Sequence, residues 1–457
     1  MSKKLFALLG MLMIAIMVLT ACQPKTTTTE APVSEETEAI SEETEVVAEE
    51  PTEQEVVTIN WWTVSSEEYS EEAQAGLVAQ FEAEHPNIKV NMTVLPSSGF
   101  GEKMTTALGA GEGAPDVAFY WDNNWWPEAM DLTPFIEADP DFDPTMYFPG
   151  FWQTRAVWGD VIVGLPLGVG ANFVMYNKDV FDEVSIPYPN ADWTTEEALA
   201  IAKQLTDLDN GRWGWDRPRG PFRATFFNYG ARPYDDASTT VDGYLNSDET
   251  LAAYTWLWDL VDSDTTPTSA ELDVLGTEGT GPVDLFLSGR LAMATLNQGH
   301  MLNAVDAGMN FGIVPEPGVE GNPQYVHGWA LTCSMWSKSE HPQEAWEFLS
   351  YWVGYEGQKY LMENGNLFPS IPAALEEYEY ADTEYAQAFF NVLNLEQDAA
   401  WLGAHPCYRG GVERSISDLW DLINLGDIAR DQIPAMMEEL LPAAQDGLDE
   451  CVPRLGG

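Results

Sequence analysis

The stretch Gly164–Glu183, GLPLGVGANFVMYNKDVFDE, constrains the fold of this chain more than any other. It reads as two extended runs, Gly164–Leu167 and Asn172–Asn177, pivoting on Gly168 and Gly170 and followed by a polar turn into a helix. The second run carries Phe173, Val174, Met175 and Tyr176, residues that suit a strand buried on both faces. Glycine reaches backbone angles closed to other residues, so the chain can leave one sheet and enter another here. The expectation is a hinge.

Past Val57 the chain alternates between strand and helix patterns. VTINWWT (Val57–Thr63) reads as a strand. Ser70 then caps a helix with Glu71 and Glu72 in its first turn, where the helix dipole favours acids. Ala73, Leu77 and Phe81 give that helix an apolar face, and Pro86 stops it. Ile88–Leu95 is a second strand, a helix runs through Met104 and Leu108, and Asp116–Tyr120 is a third strand. Strand–helix–strand order at these lengths predicts a parallel sheet with right-handed crossovers. Beyond the hinge, Thr194–Glu197 spells a capping box, and Ser247 opens a helix over Leu251–Val261. Arg290–Leu296 reads as a strand and the Pro-rich Phe311–Gly318 as a second crossover. Trp329–Met335 is a strand, Pro342–Val353 a helix, and the last hundred residues are mostly helical. The class is α/β.

The chain carries 20 basic against 74 acidic residues. Removing the 3 basic and 11 acidic residues before Val57 leaves 17 against 63, a net charge of −46 on the body. That balance argues against nucleic acid and anionic membrane surfaces as partners, and favours neutral or cationic ligands. Ahead of the body, residues 1–21 combine a basic start with an apolar run, the pattern of an export signal. Residues 22–56, rich in Glu, Thr and Ser with little to bury, read as an extended acidic tether.

Aromatic residues are plentiful: 18 Trp, 17 Tyr and 19 Phe, many placed where strands end. Ligands of open α/β sheets bind outside the carboxyl ends of strands. Trp62 closes the first predicted strand, and Tyr120, Trp121, Asp122, Asn123, Trp125 and Trp126 follow the third. Sugars present apolar C–H faces and rings of hydroxyls, so a site for them needs aromatic platforms beside bidentate polar groups. WDNNWW supplies both within six residues. A loop of that composition can also pack its tryptophans on the core of its own lobe.

Motifs of catalysis are missing from the sequence. The histidines show no HExxH spacing, the cysteines no CxxC, and neither GxSxG nor GxxxxGK[ST] occurs. No spacing singles out a carboxylate pair, and Asp207–Gly211 reads as a turn without the full calcium-loop pattern. No catalytic residue, metal or cofactor is expected.

Five segments, PNIKV, GAPDVAFYW, LP…MYNKDVF, FLSGRLAM and SKSEHPQEAWEFL, resemble in this order the landmarks of solute-binding lipoproteins of carbohydrate ABC importers, the maltose-binding-protein-like family 1. Leu19-Thr20-Ala21-Cys22 resembles a bacterial lipobox. The resemblance implies a two-lobed type II periplasmic-binding fold with hinge crossovers and an interlobe cleft. One lobe would comprise 57–168 plus 314–378, the other 172–312 plus 379–457. It also implies a mature chain that begins at a lipidated Cys22, held outside the cytoplasmic membrane by acyl chains alone. Such a monomer captures a sugar or oligosaccharide by hinge closure and delivers it to an ABC permease. Within the fold, a polyol phosphate or peptide is the alternative ligand; outside it, a secreted carbohydrate-active enzyme or a surface adhesin is the alternative class.

Site residues carried over from the resemblance are Glu67 after the first strand, Asn172 beside the hinge glycines, and Asn297, Gln298 and His300 after FLSGRLAMATL. Relatives often place an aromatic platform where this chain has His300. Gly328-Trp329 resembles the family's glycine-plus-aromatic turn, with His327 replacing the first glycine. Trp215, Phe222 and Arg223 crowd a second-lobe loop together with Trp213 and Asn228, and Arg409 before Gly410-Gly411 suits a clamp. With Cys22 assigned to lipid, Cys407 and Cys451 are expected to pair, since both fall in the C-terminal region; Cys333, in an apolar run, reads as a buried thiol.

Overall fold

The computed structural model describes residues 56–65, 70–121, 123–153, 156–158, 161–216, 223–268, 271–272, 274, 281–397, 407–408 and 412–452. The export signal, the tether and Cys22 lie outside the described residues, as do Glu67, Asp122, Phe222 and Arg409. The segment Gln54–Gly457 forms one compact unit.

Seven strands make one sheet: β1 (Val57–Val64), β2 (Ile88–Leu95), β3 (Val117–Phe119), β4 (Leu165–Asn177), β5 (Met293–Asn297), β6 (Phe311–Val314) and β7 (Gly328–Met335). Their order is β2-β1-β3-β7-β4-β5, with β6 also on β4. The expected parallel pairing holds for β1 with β2 and β3, where the helices Glu71–Glu84 and Ser97–Ala110 provide the crossovers. Within this sheet it does not extend further. β7 returns from the far half of the chain and lies antiparallel to both β3 and β4, and β5 and β6 are antiparallel to β4.

Local signals explain several helix starts. Ser70 accepts from the Ala73 N–H at 3.1 Å, and Ser247 accepts from the Thr250 N–H at 3.1 Å. Thr194 and Glu197 form the reciprocal capping box, with Thr194 N–H donating to Glu197 Oε2 at 2.9 Å. Each satisfies backbone donors that a helix start leaves free.

The hinge differs from expectation. Instead of two runs there is one thirteen-residue strand, β4, buried throughout. Its first half pairs with β7 (Leu165 to Ala171) and its second with β5 and β6 (Asn172 to Asn177). The register against β7 jumps between Ala330 and Leu331, which face Val169 and Leu167, so Gly168 is the unpaired extra residue. Gly168 takes φ +59°, the left-handed conformation that a glycine bulge requires. The bulge absorbs the bend, and the strand stays continuous.

Apolar cores pack on either half of this strand. Trp61, Phe81, Phe119, Phe348 and Trp352 belong to one, with Trp61 edge-on to Phe348 and Trp352 at 5.0 and 4.9 Å. Val174, Phe181, Trp193, Trp215, Leu257 and Leu419 belong to a second, and Phe173, Leu296 and Phe389 to a third. A disulfide joins Cys407 to Cys451 with their Cα atoms 5.5 Å apart, and Cys333 is a buried free thiol.

Candidate functional site

Strand direction locates the crevice. β1, β2 and β3 run parallel to one another, and the antiparallel steps through β7 set β4 parallel to them. Their carboxyl ends therefore point along β4 toward Asn172. β5 and β6 run against β4, so their carboxyl ends point back toward the same residues; Asn297, the last of β5, sits opposite Asn172. Two sets of strand ends thus face each other across Val169–Asn172, the arrangement in which open α/β sheets bind ligands.

At this crossing the structure gathers Asn172, Asn297, His300, Gly328 and Trp329. Asn172 is nearly buried, and its N–H donates to His327 O at 2.8 Å. Gly328 pairs with Ala171 and Trp329 with Gly170. The indole of Trp329 rests on Gly170: a Cβ there would lie 2.2 Å from Trp329 Cε2. Only glycine admits the ring so close. The His327 ring lies 5.7 Å from that of Trp329, and both residues are partly exposed. Asn297 caps the helix Gln298–Asp306, its side-chain oxygen accepting from the N–H groups of Gly299 and His300 at 3.1 and 3.3 Å. That cap fixes the first turn of the helix, which carries the partly exposed His300.

On the β1–β3 side, Trp62 is partly exposed with Lys103 Nζ 4.6 Å above its ring. It does not end its strand, because β1 continues to Val64. Trp121 is also partly exposed, backed by Phe100 at 4.6 Å and Phe119 at 5.7 Å.

Several expected contacts are placed elsewhere. Tyr120, Trp125 and Trp126 are buried in the core of their own half. A 3₁₀ turn, Asn123–Glu128, folds the tryptophans inward, where Trp125 donates to Thr105 Oγ1 at 3.0 Å and Trp126 to Tyr120 O at 2.9 Å. Both indole donors are thus satisfied inside the lobe, and burial with nearby Glu128 pushes the Tyr120 phenol pKa well up. Asn123 opens that turn. Trp215 is fully buried as well, its N–H on Thr295 Oγ1 at 3.2 Å and its ring between Trp193 and Trp256. Arg223 sits at the start of the helix Ala224–Asn228, within 3.5 Å of Glu413 Oε1. Gln298, expected with Asn297 and His300 among the cleft residues, is buried at the centre of the crossing, with its side-chain amide on the backbone of β4.

The sequence matches the family described as bacterial extracellular solute-binding protein over residues 64–359, and the chain belongs to that family. A relative from Mycolicibacterium smegmatis named erythritol/L-threitol-binding protein is 26% identical over 61% of this chain, a match that spans 63% of that relative's length. Among solved structures, an ABC substrate-binding protein from Listeria monocytogenes in complex with cycloalternan superposes with a TM-score of 0.67 at 24% identity. That match covers 87% of this chain and all of the other (100%). The sugar-binding protein MalE of Xanthomonas citri gives a TM-score of 0.70 at 20% identity, over 86% of this chain and 98% of its own. The fold is the two-lobed α/β fold of periplasmic binding proteins.

Proposed function

We propose that this chain captures a neutral sugar or small oligosaccharide in the crevice at Val169–Asn172 and delivers it to an ABC permease. One observation carries the reading: the partly exposed Trp329 ring, seated on Gly170 and 5.7 Å from the His327 ring, stands at facing strand ends that also carry Asn172 and Asn297 and lead into the helix bearing His300. An aromatic platform with amides and imidazoles beside it matches the C–H faces and hydroxyls of a carbohydrate. Trp62 and Trp121 are the platforms proposed for the opposite wall. The acidic body disfavours phosphorylated ligands, and the named ligand of the Mycolicibacterium relative is an uncharged polyol.

Capture works by differential binding. A ligand that touches both lobes only when they approach stabilises the closed state over the open one, and can shift the equilibrium by no more than that difference. The bulged β4 is the element that bends. The protein acts as a receptor and no catalytic step is assigned. The lipobox-like Leu19–Cys22 supports lipidation at Cys22, which would hold the monomeric body outside the cytoplasmic membrane on its acidic leash.

Calorimetric titration with mono- and oligosaccharides, polyols and peptides tests this. At least one neutral sugar or polyol binds and is recovered intact, and Trp329→Ala lowers its affinity by up to about tenfold, the worth of one aromatic contact at about 0.5–1.5 kcal/mol. Binding confined to peptides, a cleaved product, or unchanged affinity in Trp329→Ala would each overturn the reading.

A further inference from the structure

The two edges of β4 pass from one lobe to the other in different ways. On the edge facing β7 and β6 the hand-over is made by backbone. Asn172 N–H donates to His327 O at 2.8 Å and Lys178 N–H to Asn310 O at 3.0 Å, the two lying just before β7 and β6. On the other edge, β5 supplies backbone partners from Ala292 O, which accepts from Asn177 N–H at 2.9 Å, to Asn297 opposite Asn172. There β5 ends. Beyond it, Phe368 O accepts from Val169 N–H at 2.7 Å and the Ser370 hydroxyl donates to Pro166 O at 3.4 Å, both from a segment packed on the first half of the strand.

Between these two sets of partners stands one side chain. Ala171 N–H donates to Gln298 Oε1 at 3.3 Å, and Gln298 Nε2 donates to Val169 O at 3.4 Å. A carboxamide has the donor and acceptor of a peptide group. Gln298 therefore extends β5 by one artificial rung, across the residues where the strand must bend. Gln298, Val169 and Ala171 are 4%, 6% and 0% exposed, so water does not readily replace that rung. Its bonds are longer than the usual 2.9–3.0 Å of an N–H···O contact, whereas the flanking backbone bonds at 2.7–2.9 Å are not. Long, side-chain-made pairing on this edge thus lies at the hinge itself. A cavity of about 50 Å³ adjoins it, lined by Gln298, Gly168, Trp329, Leu367 and Phe368 among others.

We infer that Gln298 is a positioning residue that sets the resting angle of the hinge, by bridging the β5 edge of β4 with two side-chain hydrogen bonds next to the Trp329 platform. The inference rests on the hinge-closure reading above, and its test needs no ligand. Spin labels on Glu112→Cys and Asp209→Cys, exposed positions on either side of the hinge, are placed in the full-length chain carrying Cys22→Ser; Cys333 is buried and stays unlabelled. Double electron–electron resonance then gives the distance distribution without any added solute. Gln298→Met keeps the side chain's length and removes both bonds. It is expected to at least double the width of the wild-type distribution or to displace its mean. Gln298→Glu keeps the acceptor for Ala171 N–H and turns an oxygen on Val169 O, and is expected to move the distances the same way by less. The proposal is overturned if both variants superpose on wild type, including when their melting temperatures fall, because that result makes Gln298 a stabilising residue only. A chain that binds no sugar would refute the function proposed above and leave these distances to decide the role of Gln298.

Discussion

Trp329 and Gly170 work as a pair, since the ring occupies the space where any other residue would carry its side chain. Gly170→Ala is expected to displace the indole, costing about 1–3 kcal/mol as overpacking does, and to weaken ligand binding as Trp329→Ala does. Urea melts and calorimetry check the two effects separately. Trp125 is the contrasting case. Its ring is buried and its N–H satisfied within the lobe, so Trp125→Ala should destabilise by about 3–5 kcal/mol, as loss of large core aromatics does. A urea melt showing less than about 1 kcal/mol would contradict that placement. Composition marked Trp125 as a platform, and the family resemblance marked Trp329 as a ligand contact. What separated them is the inward 3₁₀ turn at Asn123–Glu128, whose direction depends on Thr105 and Phe100 of a neighbouring helix. Burial also pushes the Cys333 thiol pKa well up. A thiol reagent should label it only when the chain unfolds; rapid labelling of the native protein would argue against its burial.

Among elements, those with local signals were legible. Ser70, Thr194 with Glu197, and Ser247 each cap the helix their spacing suggests, because a cap needs only residues within one turn. The course of β4 was not legible. The two glycines announce a bend, but a continuous strand with a bulge requires Ala330 and Leu331, about 160 residues away, to skip Gly168. Gly168→Ala puts a Cβ at φ +59° and within 2.3 Å of Leu367 Cδ1. The left-handed backbone alone costs roughly 1–2 kcal/mol, and a thermal melt should register at least that. Gln298 shows the same limit on reading from sequence: its role exists only because β5 ends one residue before it and β4 needs partners there.

At the scale of the whole molecule, the acidic excess acts against compaction. The net charge of −46 on the body is spread over a surface where like charges repel, and salt screens them within about 10 Å at 0.1 M. Raising sodium chloride from low concentration should therefore raise the melting temperature, and a fall on adding salt would contradict this account. Facing strand ends are proposed to form a crevice that closes on a neutral solute by bending at β4. Small-angle X-ray scattering of the chain, titrated with the sugar or polyol that calorimetry identifies, tests it most directly. The radius of gyration is expected to fall as the site fills and to level off at saturation. A saturated protein whose radius stays at its ligand-free value would contradict closure.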